Sequence, residues 1–167
     1  MSMGSRTAER QLPFFVYGTL LPEQPNYYIW GDVIASEQPA TLTGGALYDM
    51  GFYPMLVEEG DGQVRGLMVA VRPQDYAAVV TRLDYLEGFD PKRPEASDYR
   101  RVERMVRLDD GRMAAAWVYV GSRRYVQGRQ VVPDGDWLAY MAARPEDQTN
   151  WWAGIDSVRG LHESTDE

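Results

Sequence analysis

The stretch RPQDYAAVVTRLDYLEG, residues 72–88, carries the clearest structural signal in the chain. Pro73 and Asp75 are typical of a helix start, because proline fits the first turn and an acid complements the helix dipole. The apolar residues that follow recur at helical spacing: Tyr76, Val79, Val80, Leu83 and Leu86. Gly88 is typical of the position just beyond a helix C-terminus. The stretch therefore predicts one amphipathic helix that ends at Glu87.

On both sides of this helix the sequence favours strands. Short apolar runs predict six of them, at residues 14–17, 40–49, 52–57, 64–71, 98–108 and 113–120. Gly44 and Gly45 indicate a bulge or a close backbone approach within residues 40–49, and Pro54 indicates an edge position. Asp109-Asp110-Gly111 predicts a hairpin turn.

The remaining elements are short. Residues 27–30 and 137–143 predict two short helices, and residues 121–132 are interpreted as a loop. Because strands and helices do not alternate regularly, a doubly wound parallel sheet is disfavoured. We expect a mixed α/β (α+β) domain with a closed or nearly closed mixed sheet over residues 12–145. We also expect a disordered N-terminal arm (1–11) and a partly packed C-terminal tail (146–167) that includes Trp151-Trp152.

Composition limits the possible functions. The 167 residues include 25 acidic and 17 basic ones, and the net charge of −8 argues against nucleic acid or an anionic membrane as partner. The chain has no cysteine and one histidine, His162, which nearly excludes thiol, zinc–thiolate and histidine-based catalysis. A catalytic base must then be a carboxylate, a tyrosine or Lys92, the only lysine. The absence of a secretory or membrane-spanning segment predicts a cytoplasmic protein. The oligomeric state is not predicted.

The turn Tyr17-Gly18-Thr19-Leu20 is the first candidate site. A glycine at a strand end turns the chain sharply and exposes successive backbone N–H groups, which bind carboxylates or oxyanions without basic side chains. On the motif alone, a plain structural turn is the commoner explanation.

Glu87 is the second candidate. The helix dipole disfavours negative charge at a helix C-terminus, and burial there would raise the carboxyl pKa, as suits a proton carrier near neutral pH. The commoner alternative is an exposed acid on a solvated helix end. The third candidate, Tyr99-Arg100-Arg101, could offer a phenol and a guanidinium to a polar ligand. For this one the favoured interpretation is a polar strand face with its arginines in water.

Taken in order, three motifs resemble the γ-glutamylcyclotransferase superfamily over roughly residues 12–140. They are FFVYGTL at residues 14–20, LDYLEG at residues 83–88 and YRRV at residues 99–102. The form YGTL is nearer to the γ-glutamylamine branch, which includes antibiotic-biosynthesis enzymes of the butirosin type.

The resemblance implies a small barrel-like mixed sheet with flanking helices. It also implies attack of a γ-glutamyl α-amine on its own γ-carbonyl, which gives 5-oxoproline and an amine or amino acid. Glu87 would be the general acid/base, the turn from Tyr17 to Leu20 and Tyr99 would bind a small γ-glutamyl substrate, and no metal or other cofactor would be needed.

A further ligand-contacting tyrosine of the family falls on either Tyr119 or Tyr125, and neither stands in a clear motif. Two other functional hypotheses remain open. One is a non-catalytic module on the same fold that binds an amino-acid-like ligand. The other is an unrelated β-rich domain with chance motifs. Glu87 at the motif position favours the enzyme. The sequence does not identify the released amine.

Overall fold

Eight strands and two α-helices build residues 11–143, the part of the chain that the computed structural model describes. In chain order the elements are β1 (Phe14–Val16), β2 (Ile34–Thr43), β3 (Ala46–Asp49), β4 (Pro54–Val57), β5 (Gln63–Val71), α1 (Tyr76–Leu86), β6 (Arg100–Leu108), β7 (Met113–Val120), β8 (Gln130–Val131) and α2 (Trp137–Ala142). Short 3-10 turns cover Tyr27–Trp30, Pro73–Asp75, Pro94–Ala96, Arg123–Val126 and Pro133–Gly135. The predicted arm and tail, with Trp151-Trp152, lie almost wholly outside the described residues.

Five strands form a closed barrel in the order β1-β5-β2-β6-β7. All pairs are antiparallel except β1 with β7, where Phe14 lies opposite Trp117 and closes the barrel. The β6–β7 hairpin turns at Asp109-Asp110-Gly111, as predicted. The mixed fold with a barrel-like sheet is therefore confirmed.

A second sheet of three strands, in the order β4-β3-β8, lies beside the barrel. Here two predictions are wrong: residues 40–49 are not one strand, and residues 121–132 contain a 3-10 turn and β8. The chain changes sheet at Gly44, whose φ is +95°, and the N–H groups of Gly44 and Gly45 both point to the carbonyl of Gly62. A Cβ on Gly45 would lie 2.7 Å from Leu56 Cδ1, so a larger residue at this crossing would displace that buried side chain. The predicted edge position of Pro54 is confirmed.

The predicted helix is α1. Its buried face presents Val79 and Leu83 to a core that includes Phe14, Val16 and Val69 of the barrel. Burial of each aliphatic side chain contributes roughly 1.5–3 kcal/mol, which fixes the helix against the barrel and determines where its C-terminal end lies. Within residues 11–143 neither helix has the length and apolar character needed to cross a bilayer.

Candidate active site

The end of β1, the end of α1 and the start of β6 meet at one cavity of about 600 Å³. Every residue predicted for the site lines it: Tyr17, Gly18, Thr19, Leu20, Glu87 and Tyr99. Tyr119 of β7 lines it as well, whereas Tyr125 does not. The structure thus brings together segments that are far apart in sequence and places Tyr119, of the two tyrosines left open, at the site.

The backbone around Glu87 is held by a paired hydrogen-bond motif at the end of α1. The N–H of Phe89 donates to the carbonyl of Asp84 (2.8 Å) and the N–H of Gly88 to that of Tyr85 (3.2 Å), with Gly88 at φ +68°. This is a Schellman motif, whose left-handed position favours glycine. Glu87 is the last residue before that turn, so the sequence EG orients its side chain toward the cavity.

The electrostatic environment of Glu87 favours its neutral form. Among residues 11–143, none donates a hydrogen bond to its carboxylate or forms an ion pair with it. Glu87 is half-buried at the cavity wall, and removal from water raises the pKa of its carboxyl to about 7. A group with this pKa can both accept and release a proton near neutral pH.

The turn at residues 17–20 is held against β4. A Cβ on Gly18 would lie 2.6 and 2.7 Å from two carbons of the Pro54 ring, so only glycine fits here. Asn26 fixes the other side of the turn, donating from its backbone to the Thr19 carbonyl (2.9 Å) and from its side chain to Thr19 Oγ1 (3.0 Å).

The N–H groups of Gly18, Thr19 and Leu20 donate no hydrogen bond to any other residue of the described range. Since buried or half-buried backbone donors are normally paired, unpaired donors in a cavity wall are available to a ligand. The turn therefore offers unpaired N–H groups of the kind that carboxylates and oxyanions accept from.

Three buried tyrosines link the cavity walls. Tyr17 donates from its hydroxyl to the Tyr119 carbonyl (2.6 Å), and Tyr99 donates to the Pro54 carbonyl (3.1 Å). Burial raises the pKa of Tyr17, Tyr99 and Tyr119, and the nearby charge of Glu87 adds to each pKa shift. The Tyr17 and Tyr99 phenols therefore stay protonated and hold the backbone of the facing strands.

A buried ion pair lies behind the cavity, and the sequence did not predict it. Arg101 binds both carboxylate oxygens of Asp84 (2.9 and 3.2 Å), and Tyr119 donates to the same carboxylate (2.6 Å). The guanidinium packs over the rings of Trp117 and Phe89. The interpretation of residues 99–101 as a solvated polar face is thus wrong for Tyr99 and Arg101, and right only for the exposed Arg100.

The ion pair has a direct consequence for Glu87. The guanidinium of Arg101 pairs with Asp84, three residues before Glu87, and not with Glu87 itself. The pKa of Glu87 is therefore not lowered by a bound cation. The helical spacing of Val80 and Asp84 was the one signal that Asp84 faces the barrel, because residues four apart share one face of a helix.

Comparison with solved structures supports the same fold. YkqA from Bacillus subtilis is 22% identical at a TM-score of 0.58 over 81% of this chain and 42% of its own. The uncharacterized protein PH0828 from Pyrococcus horikoshii is 20% identical at a TM-score of 0.51, over 83% of this chain and 97% of its own. The protein ytfP from Escherichia coli is 26% identical at a TM-score of 0.52, over 76% of this chain and 96% of its own. The chain thus spans less than half of YkqA and nearly all of the other two.

No curated protein is significantly similar in sequence to this chain. The model of one protein family, described as gamma-glutamyl cyclotransferase, AIG2-like, matches residues 14–139. That range includes all three motifs and every residue of the cavity described above, which excludes a chance resemblance. The chain belongs to the AIG2-like gamma-glutamyl cyclotransferase family.

Proposed function

We propose that the protein is a γ-glutamyl cyclotransferase that releases 5-oxoproline from a γ-glutamyl amide. The observation that carries the proposal is the unpaired Glu87 carboxyl, with its pKa raised to about 7, in the same cavity as the unpaired amides of the turn. A proton carrier and an oxyanion site in one cavity are the two groups that this reaction requires.

The reaction begins when ionised Glu87 takes a proton from the α-ammonium of the substrate. The freed nitrogen attacks the γ-carbonyl carbon, the new C–N bond closes a five-membered ring, and the carbonyl electron pair moves to oxygen. Amides of residues 18–20 stabilise that oxyanion. Holding the substrate folded lowers the barrier further, because the attack is intramolecular.

Collapse of the intermediate breaks the original amide bond. Neutral Glu87 gives its proton to the leaving nitrogen and the amine departs. The ionised carboxylate then takes a second proton from the ring nitrogen and passes it to the freed amine. Two protons thus pass from the attacking to the leaving nitrogen, and Glu87 ends as it began, ionised. One residue with a pKa near 7 suits both transfers.

The test is release of 5-oxoproline from a panel of γ-glutamyl amines and γ-glutamyl amino acids, measured by mass spectrometry. Glu87→Gln keeps the shape of the side chain and cannot accept a proton, so turnover should fall by roughly 10²–10⁴-fold while binding survives. Glu58→Gln is the matched control, since Glu58 pairs with Arg104 outside the cavity and its loss leaves turnover unchanged.

The same panel separates the enzyme from a binding module on this fold. A module would bind a γ-glutamyl compound or 5-oxoproline stoichiometrically without releasing product, and Glu87→Gln would then change only affinity. If the wild-type protein turns over no member of the panel, the proposal is wrong.

A further inference from the structure

Asn26 joins the loop after β1 to the turn at residues 17–20 by two hydrogen bonds. Its backbone N–H donates to the Thr19 carbonyl (2.9 Å), and its side-chain amide donates to Thr19 Oγ1 (3.0 Å). Both residues line the cavity that Glu87 also lines. Because the backbone bond holds Asn26 against the turn, its amide reaches the Thr19 hydroxyl from one defined side.

The Thr19 hydroxyl is the acceptor in this contact, and that determines where its own hydrogen can point. A hydroxyl group has two lone pairs and one hydrogen to donate. The amide hydrogen of Asn26 occupies a lone pair, so the O–H bond of Thr19 points away from Asn26. Within residues 11–143 this hydroxyl donates to no acceptor, although Thr19 is half-buried. Since hydroxyl groups removed from water are normally paired, its hydrogen is available to a ligand in the cavity.

Thr19 also belongs to the turn whose backbone N–H groups are unpaired. In the proposed reaction these N–H groups donate to the γ-carbonyl oxygen of the substrate. That oxygen carries the negative charge in the intermediate and is the lactam oxygen of 5-oxoproline. A hydroxyl on the same turn can donate to the same oxygen.

We propose that Asn26 is a positioning residue of this site: by donating to Thr19 Oγ1, it directs the Thr19 hydroxyl hydrogen to the ligand oxygen. The inference rests on the proposed function and adds one side-chain donor to the oxyanion site. A hydrogen bond to a charged oxygen is about twice as strong as one to a neutral oxygen. The hydroxyl therefore stabilises the intermediate more than the bound substrate, and its removal should lower kcat more than it raises KM.

Substitutions of Thr19 test the donor. Thr19→Val keeps the shape of the side chain and removes the hydroxyl, so kcat for 5-oxoproline release should fall about 10- to 100-fold. The Kd for 5-oxoproline, measured by calorimetry, should rise about three- to tenfold. Thr19→Ser keeps the hydroxyl and should retain both values. Equal losses in the two variants would show that the methyl group matters and not the donor.

A double-mutant cycle tests whether Asn26 acts through Thr19. Asn26→Asp has the same shape but accepts from the Thr19 hydroxyl, so it should lower kcat and raise the Kd at least as much as Thr19→Val. Asn26→Ala should lower kcat about three- to tenfold in the wild-type background and less than about twofold in the Thr19→Val background. Each variant keeps the backbone bond from residue 26 to residue 19. Tyr27→Phe is the control, because it removes a neighbouring bond to Glu37 outside the cavity and should change neither value.

Two results would overturn the role of Asn26. Full activity in Asn26→Asp would show that residue 26 accepts from Thr19, and a loss in Asn26→Ala that persists in the Thr19→Val background would show direct contact with the ligand. If the cycle shows coupling in the Kd for 5-oxoproline while no γ-glutamyl compound is turned over, the proposed function fails and the role of Asn26 stands. If the wild type is active and Thr19→Val keeps its rate and affinity, the enzyme remains and the inference is wrong. A wild-type protein that neither binds nor releases 5-oxoproline contradicts both.

Discussion

Glu87 links the chemistry of the site to the stability of the fold. Its carboxyl has a pKa of about 7 in the folded protein because burial disfavours the charge, while an unfolded chain has the ordinary value of 4.5. The folded state therefore holds a proton between these values that the unfolded state has lost. The stabilising contribution of neutral Glu87 is complete below pH 4.5 and is lost as pH rises through 7.

Glu87→Gln should for this reason be more stable than the wild type at alkaline pH. Above pH 7 the gain in unfolding free energy should be about 2 kcal/mol, allowing for solvent that screens part of the charge, and it should vanish near pH 4.5. Urea denaturation at pH 5, 6, 7 and 8 measures both proteins. Parallel pH curves for the two would show that Glu87 is not neutralised by burial.

Loss of the ion pair of Asp84 and Arg101 should change the unfolding free energy in the opposite direction, toward lower stability. Arg101→Leu leaves the Asp84 carboxylate buried without its cation, and we expect a loss of roughly 3–5 kcal/mol in unfolding free energy. Arg100→Leu is the matched control, because that neighbouring side chain is exposed and should change stability by less than about 0.5 kcal/mol. Equal effects in the two variants would contradict a structural role for the pair.

The sequence predicted the position of Glu87 at the end of α1 but not the pairing of Arg101 with Asp84, and the reason is physical. The apolar spacing of a helix and the glycine that follows it are both visible in consecutive residues. They therefore predict that Glu87 lies at the end of α1. Whether a strand arginine points to water or into the core depends on which helix covers that face. Asp84 and Arg101 are joined only when α1 packs on β6, which no local pattern contains.

At the scale of elements, the position of the turn depends on β4. The ring of Pro54 lies where a Cβ on Gly18 would stand, so Gly18→Ala must displace either the turn or β4. We expect a loss of roughly 1–3 kcal/mol in unfolding free energy and at least a tenfold loss of 5-oxoproline release. Both are measured on the purified variant by denaturation and by product assay.

Pro54→Ala provides the matched test of that contact. It removes the ring carbons but keeps the carbonyl that accepts from Tyr99, so Gly18→Ala in a Pro54→Ala background should lose much less activity than Gly18→Ala alone. If the two substitutions simply add, the ring contact does not position the turn.

The sequence predicted the strands correctly where consecutive residues carry the signal, and wrongly where strand pairing decides the structure. Apolar runs and the Asp109-Asp110-Gly111 turn indicate β1, β5, β6 and β7 directly. The passage from β2 to β3 at Gly44 and Gly45 has the same local appearance as a bulge. The chain changes from the barrel to the second sheet at this point because β3 pairs with β4 and β8, and that pairing is not visible in the local sequence.

At the scale of the whole molecule, the cavity is the point where the two sheets and α1 meet. Pro54 comes from the small sheet, Tyr17 and Tyr119 from the barrel side, and Glu87 from the end of α1. Hydrogen bonds from Tyr99 to Pro54 and from Tyr119 to Asp84 cross between these parts. A ligand in the cavity therefore contacts every layer of the fold, and its binding should stabilise the molecule as a unit.

The reaction product makes that stabilisation depend on pH. The carboxylate of 5-oxoproline would lie in the same cavity as Glu87, so neutral Glu87 admits the anion and ionised Glu87 repels it. With a pKa of about 7 for Glu87, the neutral fraction falls about tenfold between pH 6 and pH 8, and the Kd for 5-oxoproline should rise by about the same factor. The shift in melting temperature at a fixed concentration of 5-oxoproline should accordingly be larger at pH 6. Glu87→Gln is neutral at both pH values, so its Kd for 5-oxoproline should be the same at pH 6 and pH 8. A tenfold change in Kd in that variant would show that a group other than Glu87 titrates.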